Sequence, residues 1–234
     1  MKKINYNKKI CFIGLGKMGA YIAKNIKRLH PNISVFDSDS SKRKEFVTLG
    51  CKFPKSLFLA AKEADIVFTI LPTSEIVHKV ILSSDSEGKS VINSVGKNCL
   101  FIDMTTGSIK DFFLLQNKIQ EKGHRLIDAP IGRSPREAKI GKSLVMVGGT
   151  SHNIEQAKPI FETFADTIIH VGEAGFGLKL KLVNNYMAMI NHVLTAQVLS
   201  FAKLIGLDRK LTVEVLSTTA AGRGQLLTNF PRKV

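Results

Sequence analysis

The sequence KICFIGLGKMG, residues Lys9 to Gly19, places three glycines directly after a short apolar run. Gly14, Gly16 and Gly19 have the spacing G-x-G-x-x-G, which is weak evidence alone because glycine is a common residue. Here the motif follows a predicted strand and opens a predicted helix. In that context the glycines permit a tight turn and a close approach of backbone amides to a pyrophosphate, to which the helix N-terminus adds N–H donors. We therefore predict a dinucleotide-binding loop, in preference to a plain tight turn.

Apolar runs alternate with segments of helical length over most of the chain. The predicted strands are residues 9–13, 33–37, 65–71, 100–104, 125–129 and 143–149, and the predicted helices between them include residues 18–29, 41–49, 73–82 and 109–122. Strands that are apolar on both faces and separated by helices are typical of a parallel sheet covered on both sides. The sequence therefore predicts an α/β fold with a doubly wound, mostly parallel sheet.

The alternation ends after residue 172, and the remainder is predicted to be helical. One long apolar pattern occupies residues 178–205, and a shorter helix is predicted over residues 209–217 with Asp208 as its N-cap. Polar residues within the long pattern, such as Asn191 and His192, argue against a membrane span. We expect two domains, residues 1–172 and 173–234, of which the second is all-helical and begins with the long helix.

The charge of the chain is strongly positive, with 34 lysine and arginine residues against 19 acidic residues and a net charge of +15. Such a surplus attracts nucleic acid, acidic membranes or small anions. The basic residues are scattered, however, and no motif typical of DNA or RNA recognition is present. We therefore expect neither nucleic-acid nor membrane binding as the main role.

The three cysteines, Cys11, Cys51 and Cys99, are widely separated and lack any C-x-x-C spacing. An odd number of cysteines without such spacing predicts neither a disulfide framework nor a metal site. We expect a reducing, cytoplasmic setting.

Asp37 ends the second predicted strand, 23 residues after Gly14. An acidic side chain there accepts hydrogen bonds from a ribose diol and repels a 2′-phosphate, which favours NAD over NADP. Against this, Lys42 and Arg43 lie just beyond and could receive a phosphate. A local turn or cap role is better served by Asp39 than by Asp37.

Lys181 lies early in the long predicted helix, a place where a lysine is usually exposed to solvent. Asn184 and Asn185 follow at three and four residues, so the three side chains share one helical face. That face continues into Ala188 and Met189, which suggests a buried stripe. Lys179, by contrast, is predicted to be a surface charge.

A lysine beside a nicotinamide ring can protonate a carbonyl oxygen while hydride reaches the carbon. Burial lowers the pKa of a lysine toward neutral pH. We therefore predict that Lys181 is a general acid and that Asn185, one turn further on, orients the ammonium group or the substrate oxygen.

The sequence DAPIGRSPREAK, residues 128–139, follows a predicted strand, so its loop lies at the carboxyl edge of the sheet, where ligands bind. Arg133 in this loop can present a planar fork to an anion, or it can be an ordinary exposed arginine. Its position alone leaves both interpretations open.

Three segments in this order, residues 12–19, 128–149 and 175–185, resemble the β-hydroxyacid dehydrogenase family, which includes 3-hydroxyisobutyrate dehydrogenase and tartronate semialdehyde reductase. The resemblance implies a Rossmann domain followed by an all-helical domain, with NAD as cofactor and Lys181 as the catalytic lysine. Its members continue beyond residue 234 with further helices, so we expect a shortened helical domain here. An uncovered apolar helix would favour a homo-oligomer. The alternative of another class is a shortened, non-catalytic remnant that only binds NAD or nucleic acid.

Gly132, Arg133 and Ser134 stand where most members of that family have Ser-Gly-Gly. This departure resembles the branch of the family that reduces 3-sulfolactaldehyde to 2,3-dihydroxypropane-1-sulfonate with NADH. In that branch the arginine holds the sulfonate, and Ser134 would assist. The alternative substrates are those of 3-hydroxyisobutyrate, succinate semialdehyde and tartronate semialdehyde dehydrogenases.

The resemblance implies a set of residues around each ligand. The cofactor residues are Gly14, Gly16, Lys17, Met18, Gly19, Asp37, Leu71 and Thr106. The residues around the small anionic aldehyde or hydroxy acid are Arg133, Ser134, Asn184, Asn185, Tyr186, Met187 and Ala188.

Overall fold

The structure is a computed structural model that describes residues 8–85, 87–224 and 226. Its strands are Ile10–Ile13 (β1), Ile33–Phe36 (β2), Ile66–Thr69 (β3), Leu100–Asp103 (β4), Arg125–Asp128 (β5), Ile131–Gly132 (β6), Ser143–Gly148 (β7) and Ala165–Gly172 (β8). Its helices are Gly19–Leu29 (α1), Arg43–Thr48 (α2), Leu57–Ala61 (α3), Ser74–Leu82 (α4), Val91–Ser94 (α5), Ile109–Glu121 (α6), Pro135–Lys139 (α7), Ser151–Phe161 (α8), Phe176–Leu204 (α9), Arg209–Thr218 (α10) and Ala220–Arg223 (α11).

The strands form one sheet in the order β2-β1-β3-β4-β5-β7-β6, and β8 pairs with β7. The first five strands in this order are parallel, whereas β7 runs antiparallel to β5 and β6. The predicted α/β class with a doubly wound, mostly parallel sheet is confirmed. Every strand and helix predicted above is present, with ends that differ by two residues or fewer.

The core lies on both faces of the sheet because the strands are apolar on both faces. In β1, Ile10 and Phe12 belong to one buried cluster, while Cys11 and Ile13 belong to the other. The ring of Phe12 stacks on that of Phe68 in β3, with 5.7 Å between centroids. Helices pack on both faces of the sheet. Ligands of such sheets bind at the carboxyl edge of the parallel strands.

The chain forms two compact units, Met1–Leu182 and Val183–Val234. The first contains the sheet and the beginning of α9, and the second contains the rest of α9 with α10 and α11. Asp208 caps α10 as predicted, accepting a hydrogen bond from the N–H of Leu211 at 2.9 Å. The domain limit predicted at residue 172 stays a prediction.

The long helix α9 carries large apolar side chains that are exposed. Tyr186 and Met189 are each 71% exposed and Leu204 is 83% exposed. The prediction of a buried stripe through Ala188 and Met189 is therefore wrong for the described residues, among which no element covers these two side chains. None of the described helices combines the length and the hydropathy that a membrane crossing needs.

Candidate active site

The glycine-rich loop joins β1 to α1 at the carboxyl edge of the sheet. Gly14 has a φ of +102°, a conformation that favours glycine, and a Cβ there would collide with the carbonyl oxygen of Ile70. A Cβ at Gly19 would overlap the carbonyl oxygen of Gly14 and lie 2.7 Å from Cγ2 of Ile70. At Gly16, nothing in the described structure lies within 4 Å of an added Cβ, so this position is open to a ligand.

Asp37 follows β2 and its carboxylate is tied to the same loop. Its Oδ2 accepts a hydrogen bond from the N–H of Leu15 at 2.6 Å, and its Oδ1 accepts one from the N–H of Asp39 at 2.8 Å. Asp39 itself accepts from the N–H of Ser41 and caps a short 3₁₀ turn, which confirms its local role. Asp37 therefore stands beside the glycine-rich loop with its charge at the edge of the sheet.

A cavity of about 520 Å³ lies in front of this loop. It is lined by Ile13, Gly14, Gly16, Lys17, Met18, Gly19, Phe36, Asp37, Ser38, Ile70, Leu71, Pro72, Ile76 and Val80. Of the eight predicted cofactor residues, seven line this cavity and Thr106 does not. The neighbouring Thr105 is buried instead, and its Oγ1 accepts the N–H of Leu71 at 3.0 Å. An apolar cleft with a glycine-rich floor and one acidic group fits the adenosine and pyrophosphate of a dinucleotide.

Lys181 lies in the first unit near the beginning of α9, and its side chain is half-buried. Its Nζ donates a hydrogen bond to the carbonyl oxygen of Ile131 at 2.7 Å, and burial lowers the pKa of its ammonium group. Lys179 is exposed, with its Nζ 4.1 Å from the ring centroid of Phe176, which confirms the prediction that it is a surface charge. A half-buried ammonium group with a lowered pKa is suited to proton transfer.

Asp128, a fully buried carboxylate at the end of β5, was not predicted from the sequence as a site residue. It accepts hydrogen bonds from the N–H groups of Gly175 and Leu178, each at 2.7 Å. The signal available in the sequence was a charged residue at the end of an apolar strand. Such a residue needs a partner when it is buried, and the sequence alone does not identify it.

Arg133 adopts a left-handed conformation with a φ of +67°. Its guanidinium group forms hydrogen bonds with three residues of the same chain. Nη1 donates to the carbonyl oxygen of Lys142 and to Oδ1 of Asp166, both at 2.6 Å, and Nη2 donates to Oγ1 of Thr167 at 3.0 Å. The Thr167 hydroxyl, and next Arg133, hold the pKa of Asp166 below its usual range. Since a guanidinium group has five donors, Nε–H and one Nη2–H have no hydrogen bond within the described chain.

Ser134 is the N-cap of α7, with Pro135 at the first helical position. Its Oγ accepts the N–H of Arg136 at 3.2 Å and donates to Oε2 of Glu137. The N–H of Ser134 also donates to Oε2 of Glu137 at 3.0 Å, which completes a capping box. Its hydroxyl group therefore has a structural task, and its contact with a substrate stays a prediction.

The other predicted substrate residues belong to the second unit. Nδ2 of Asn184 donates to Oδ1 of Asn185 at 3.3 Å. Tyr186, Met187 and Ala188 are exposed. The structure leaves the contacts of these five residues with a substrate as predictions.

The three cysteines are buried and free. Burial raises the pKa of the Cys11 thiol to about 12, so it is not a thiolate at neutral pH. Within the described residues, no group of three or more histidine, cysteine or acidic side chains could hold a metal ion.

A glycine-rich loop and a strand-end aspartate at the carboxyl edge of a doubly wound sheet are typical of dehydrogenases that use a nicotinamide dinucleotide. Comparison with known proteins agrees. Residues 9–172 match the family described as the NAD binding domain of 6-phosphogluconate dehydrogenase. The chain belongs to the β-hydroxyacid dehydrogenase family and is an oxidoreductase with a nicotinamide cofactor.

Two curated relatives and one solved structure show the extent of the similarity. The chain is 32% identical to the 3-sulfolactaldehyde reductase of Escherichia coli (strain K12), over 96% of this chain and 74% of the relative. It is 29% identical to the NAD-dependent L-serine dehydrogenase of Pseudomonas aeruginosa, over 94% of this chain and 72% of the relative. The structure of Mycobacterium tuberculosis 3-hydroxyisobutyrate dehydrogenase with L-serine superposes with a TM-score of 0.81 at 26% identity, covering 95% of this chain and 74% of that one.

The glycine-rich loop gives a first test, through the variants Gly19→Ala and Gly16→Ala. A Cβ at Gly19 has no room, so we expect the free energy of unfolding to fall by about 1–3 kcal/mol and NADH binding to weaken with it. A Cβ at Gly16 meets no protein atom, so stability should change by less than about 0.5 kcal/mol while NADH binding still weakens. Denaturant unfolding and NADH titration measure both. Equal stability of the two variants would contradict the geometry of this loop.

Proposed function

We propose that the chain uses NADH to reduce a small aldehyde that carries an anionic group, and that 3-sulfolactaldehyde is its substrate. The product would be 2,3-dihydroxypropane-1-sulfonate. The observation that carries the proposal is the half-buried Lys181, whose ammonium group lies against the backbone of the loop that contains Arg133. The alternative substrates are carboxylate aldehydes, namely succinate semialdehyde, tartronate semialdehyde and the aldehyde that corresponds to 3-hydroxyisobutyrate.

Lys181 is the proposed proton donor. The nicotinamide, when bound, supplies a hydride to the aldehyde carbon. The Nζ of Lys181 gives a proton to the aldehyde oxygen, so that the carbonyl becomes an alcohol, and in the oxidation direction the neutral amine takes a proton back. Burial lowers the pKa of this lysine, which makes the release of its proton easier at neutral pH.

The carbonyl oxygen of Ile131 is proposed to orient this ammonium group. It accepts one of the three N–H groups of Lys181 and leaves two for a substrate oxygen. Asn185 lies four residues after Lys181 on α9. Its proposed task is to orient the donor or the substrate oxygen.

Arg133 is proposed to bind the anionic group of the substrate. Its Nε–H and one Nη2–H remain for an oxygen anion, and the other donors fix the guanidinium group against β8. A sulfonate presents three oxygens to such a fork. Similarity to a relative named 3-sulfolactaldehyde reductase supports this choice of anion.

NAD is the proposed cofactor, in preference to NADP, because the Asp37 carboxylate lies in the cavity where a 2′-phosphate would bring its charge. We expect Asp37→Asn to raise the ratio of kcat/KM with NADPH to that with NADH by at least about tenfold, since a like-charge contact costs several kcal/mol. Asp39→Asn, two residues further along the chain, is the matched control and should leave the ratio unchanged. The assignment fails if the ratio is the same in both variants.

A homo-oligomer is a further part of the proposal. The apolar side chains on α9, such as Met189 and Leu204, are exposed in the single chain. A face of this kind is unusual for a monomer and is typical of an interface.

The proposed activity is tested by following NADH oxidation with 3-sulfolactaldehyde, succinate semialdehyde and tartronate semialdehyde in turn. Turnover of the sulfonate with the highest kcat/KM would support the proposal. Turnover of a carboxylate alone would favour the alternative substrates.

A further inference from the structure

Asp128 holds the beginning of α9 from a distant strand. Its Oδ1 accepts the N–H of Gly175 and its Oδ2 accepts the N–H of Leu178, groups that follow it by 47 and 50 residues. Backbone N–H groups at a helix N-terminus have no acceptor within the helix. The carboxylate therefore does for α9 what an N-cap side chain does in other helices.

The chain leaves space for this carboxylate on two sides. A Cβ added at Gly148 would lie 2.5 Å from Oδ1 of Asp128, and one added at Gly177 would lie 2.8 Å from Oδ2. A larger residue at either position would collide with the carboxylate and with nearby backbone, such as the carbonyl oxygen of Met146 beside Gly177. Both glycines are thus part of the same contact.

The charge of Asp128 suits this position. The first turn of α9 contains no acidic residue of its own, and a negative charge near a helix N-terminus is stabilised by the helix dipole. Burial raises the pKa of Asp128 to about 6, the two amide hydrogen bonds oppose the rise, and Asp103, its register partner on β4, adds to it. Both carboxyl oxygens act as acceptors in this arrangement, and the ionised form makes the stronger hydrogen bonds.

A second tie lies one helical turn further along α9. Lys181 follows Leu178 by three residues, and its Nζ donates to the carbonyl oxygen of Ile131, which follows Asp128 by three residues. The segment 128–131 thus holds the segment 178–181 at both ends. Any rotation or sliding of this turn that displaces the ammonium group must also break the bonds to Asp128.

We propose that Asp128 is a positioning residue for Lys181, acting by fixing the first turn of α9 against β5. This role rests on the proposed function, because it concerns the proton that Lys181 donates. A proton donor must lie within hydrogen-bond reach of the oxygen it protonates, and a misplacement of about 1 Å costs about 100-fold in rate. Asp128 itself contacts neither substrate nor cofactor in this account.

The test is the Asp128→Asn variant, which keeps the shape and one acceptor oxygen and replaces the other with a donor. We expect kcat to fall by about 10- to 100-fold while the dissociation constant for NADH stays close to that of the wild type. Amide hydrogen exchange at Gly175 and Leu178 should become faster. If Asp128→Asn does not fold, Asp128→Ser, which offers one shorter acceptor, takes its place. The same changes in kcat, NADH binding and amide exchange are then expected.

Ile160→Ala is the stability control, because Ile160 is a buried residue of α8 in the core of the sheet domain. It should lower the unfolding temperature and keep kcat near the wild-type value. Wild-type kcat in Asp128→Asn, or an equal loss of kcat in Ile160→Ala, would overturn the proposal. If the wild type turns over no aldehyde, the proposed function fails instead. In that case, unchanged hydrogen exchange at the amides of Gly175 and Leu178 in Asp128→Asn would also show that Asp128 does not fix the first turn of α9.

Discussion

Lys181→Ala is expected to lower kcat for aldehyde reduction by about 10²- to 10⁴-fold, the range typical of a lost general acid. NADH binding should change little, because the cavity that fits the dinucleotide is lined by the glycine-rich loop, the ends of β2 and β3 and part of α4, and Lys181 is not among the lining residues. The loss should therefore fall on kcat and leave the dissociation constant for NADH near its wild-type value. Loss of NADH absorbance with time measures the first quantity, and calorimetric titration measures the second.

Lys179→Ala is the matched control for this experiment. Lys179 lies two residues earlier on the same helix, and its exposed Nζ contacts the ring of Phe176. Its removal takes away one positive charge without touching the proposed donor, so kcat should be unchanged. Full turnover in Lys181→Ala, or an equal loss in Lys179→Ala, would remove Lys181 from the mechanism.

The dependence of the wild-type kcat on pH also tests whether Lys181 is the proton donor. Reduction needs the charged ammonium form, so kcat should fall as the pH rises through the pKa of Lys181. Burial lowers this pKa from its ordinary value of 10.5, so the alkaline fall should begin at a lower pH than for an exposed lysine. The fall should disappear from the residual activity of Lys181→Ala.

Arg133→Ser is expected to lower kcat/KM for 3-sulfolactaldehyde by about 100-fold or more, and to lower it less for carboxylate aldehydes. Two charge-assisted hydrogen bonds to an anion contribute about 1.5–3 kcal/mol each, and a serine can replace only one of them. The substitution also removes the bonds to Lys142, Asp166 and Thr167, so the stability of the fold should decrease. The ratio of kcat/KM for the two classes of aldehyde separates these effects.

Asp166→Asn is the control that isolates stability from recognition. It removes the ion pair with Arg133, whose two side chains are 35% and 43% exposed, so its cost in stability should be small. The Nε–H and Nη2–H of Arg133 keep their capacity for an anion, so the substrate ratio should hold. If Arg133→Ser lowers kcat/KM equally for every aldehyde, Arg133 is structural and the sulfonate assignment is wrong.

The fold and the cofactor loop could be predicted from the sequence because their signals are local. Alternating apolar runs give the strands and helices, and the spacing of Gly14, Gly16 and Gly19 gives the loop. The position of Asp37 beside this loop could be predicted for the same reason, since the residue directly follows a strand. Lys181 was distinguishable from Lys179 by its position on the helix, and the exposures of the two side chains agree.

The remaining features depend on residues that are distant in sequence. The partners of Asp128 are 47 and 50 residues away, and the Asp166 and Thr167 partners of Arg133 are 33 and 34 residues away. The burial of a helix face depends on whether other elements cover it, which explains the wrong expectation for Met189. Periodicity describes which face is apolar, and only the three-dimensional structure says what lies against it.

The most direct test of the account is the rate of NADH oxidation by the purified chain with 3-sulfolactaldehyde, compared between the wild type and Lys181→Ala. We predict measurable turnover by the wild type, formation of one 2,3-dihydroxypropane-1-sulfonate for each NADH consumed, and a loss of about 10²-fold or more in the variant. Tight NADH binding by the wild type with no turnover of this or any carboxylate aldehyde would contradict the account.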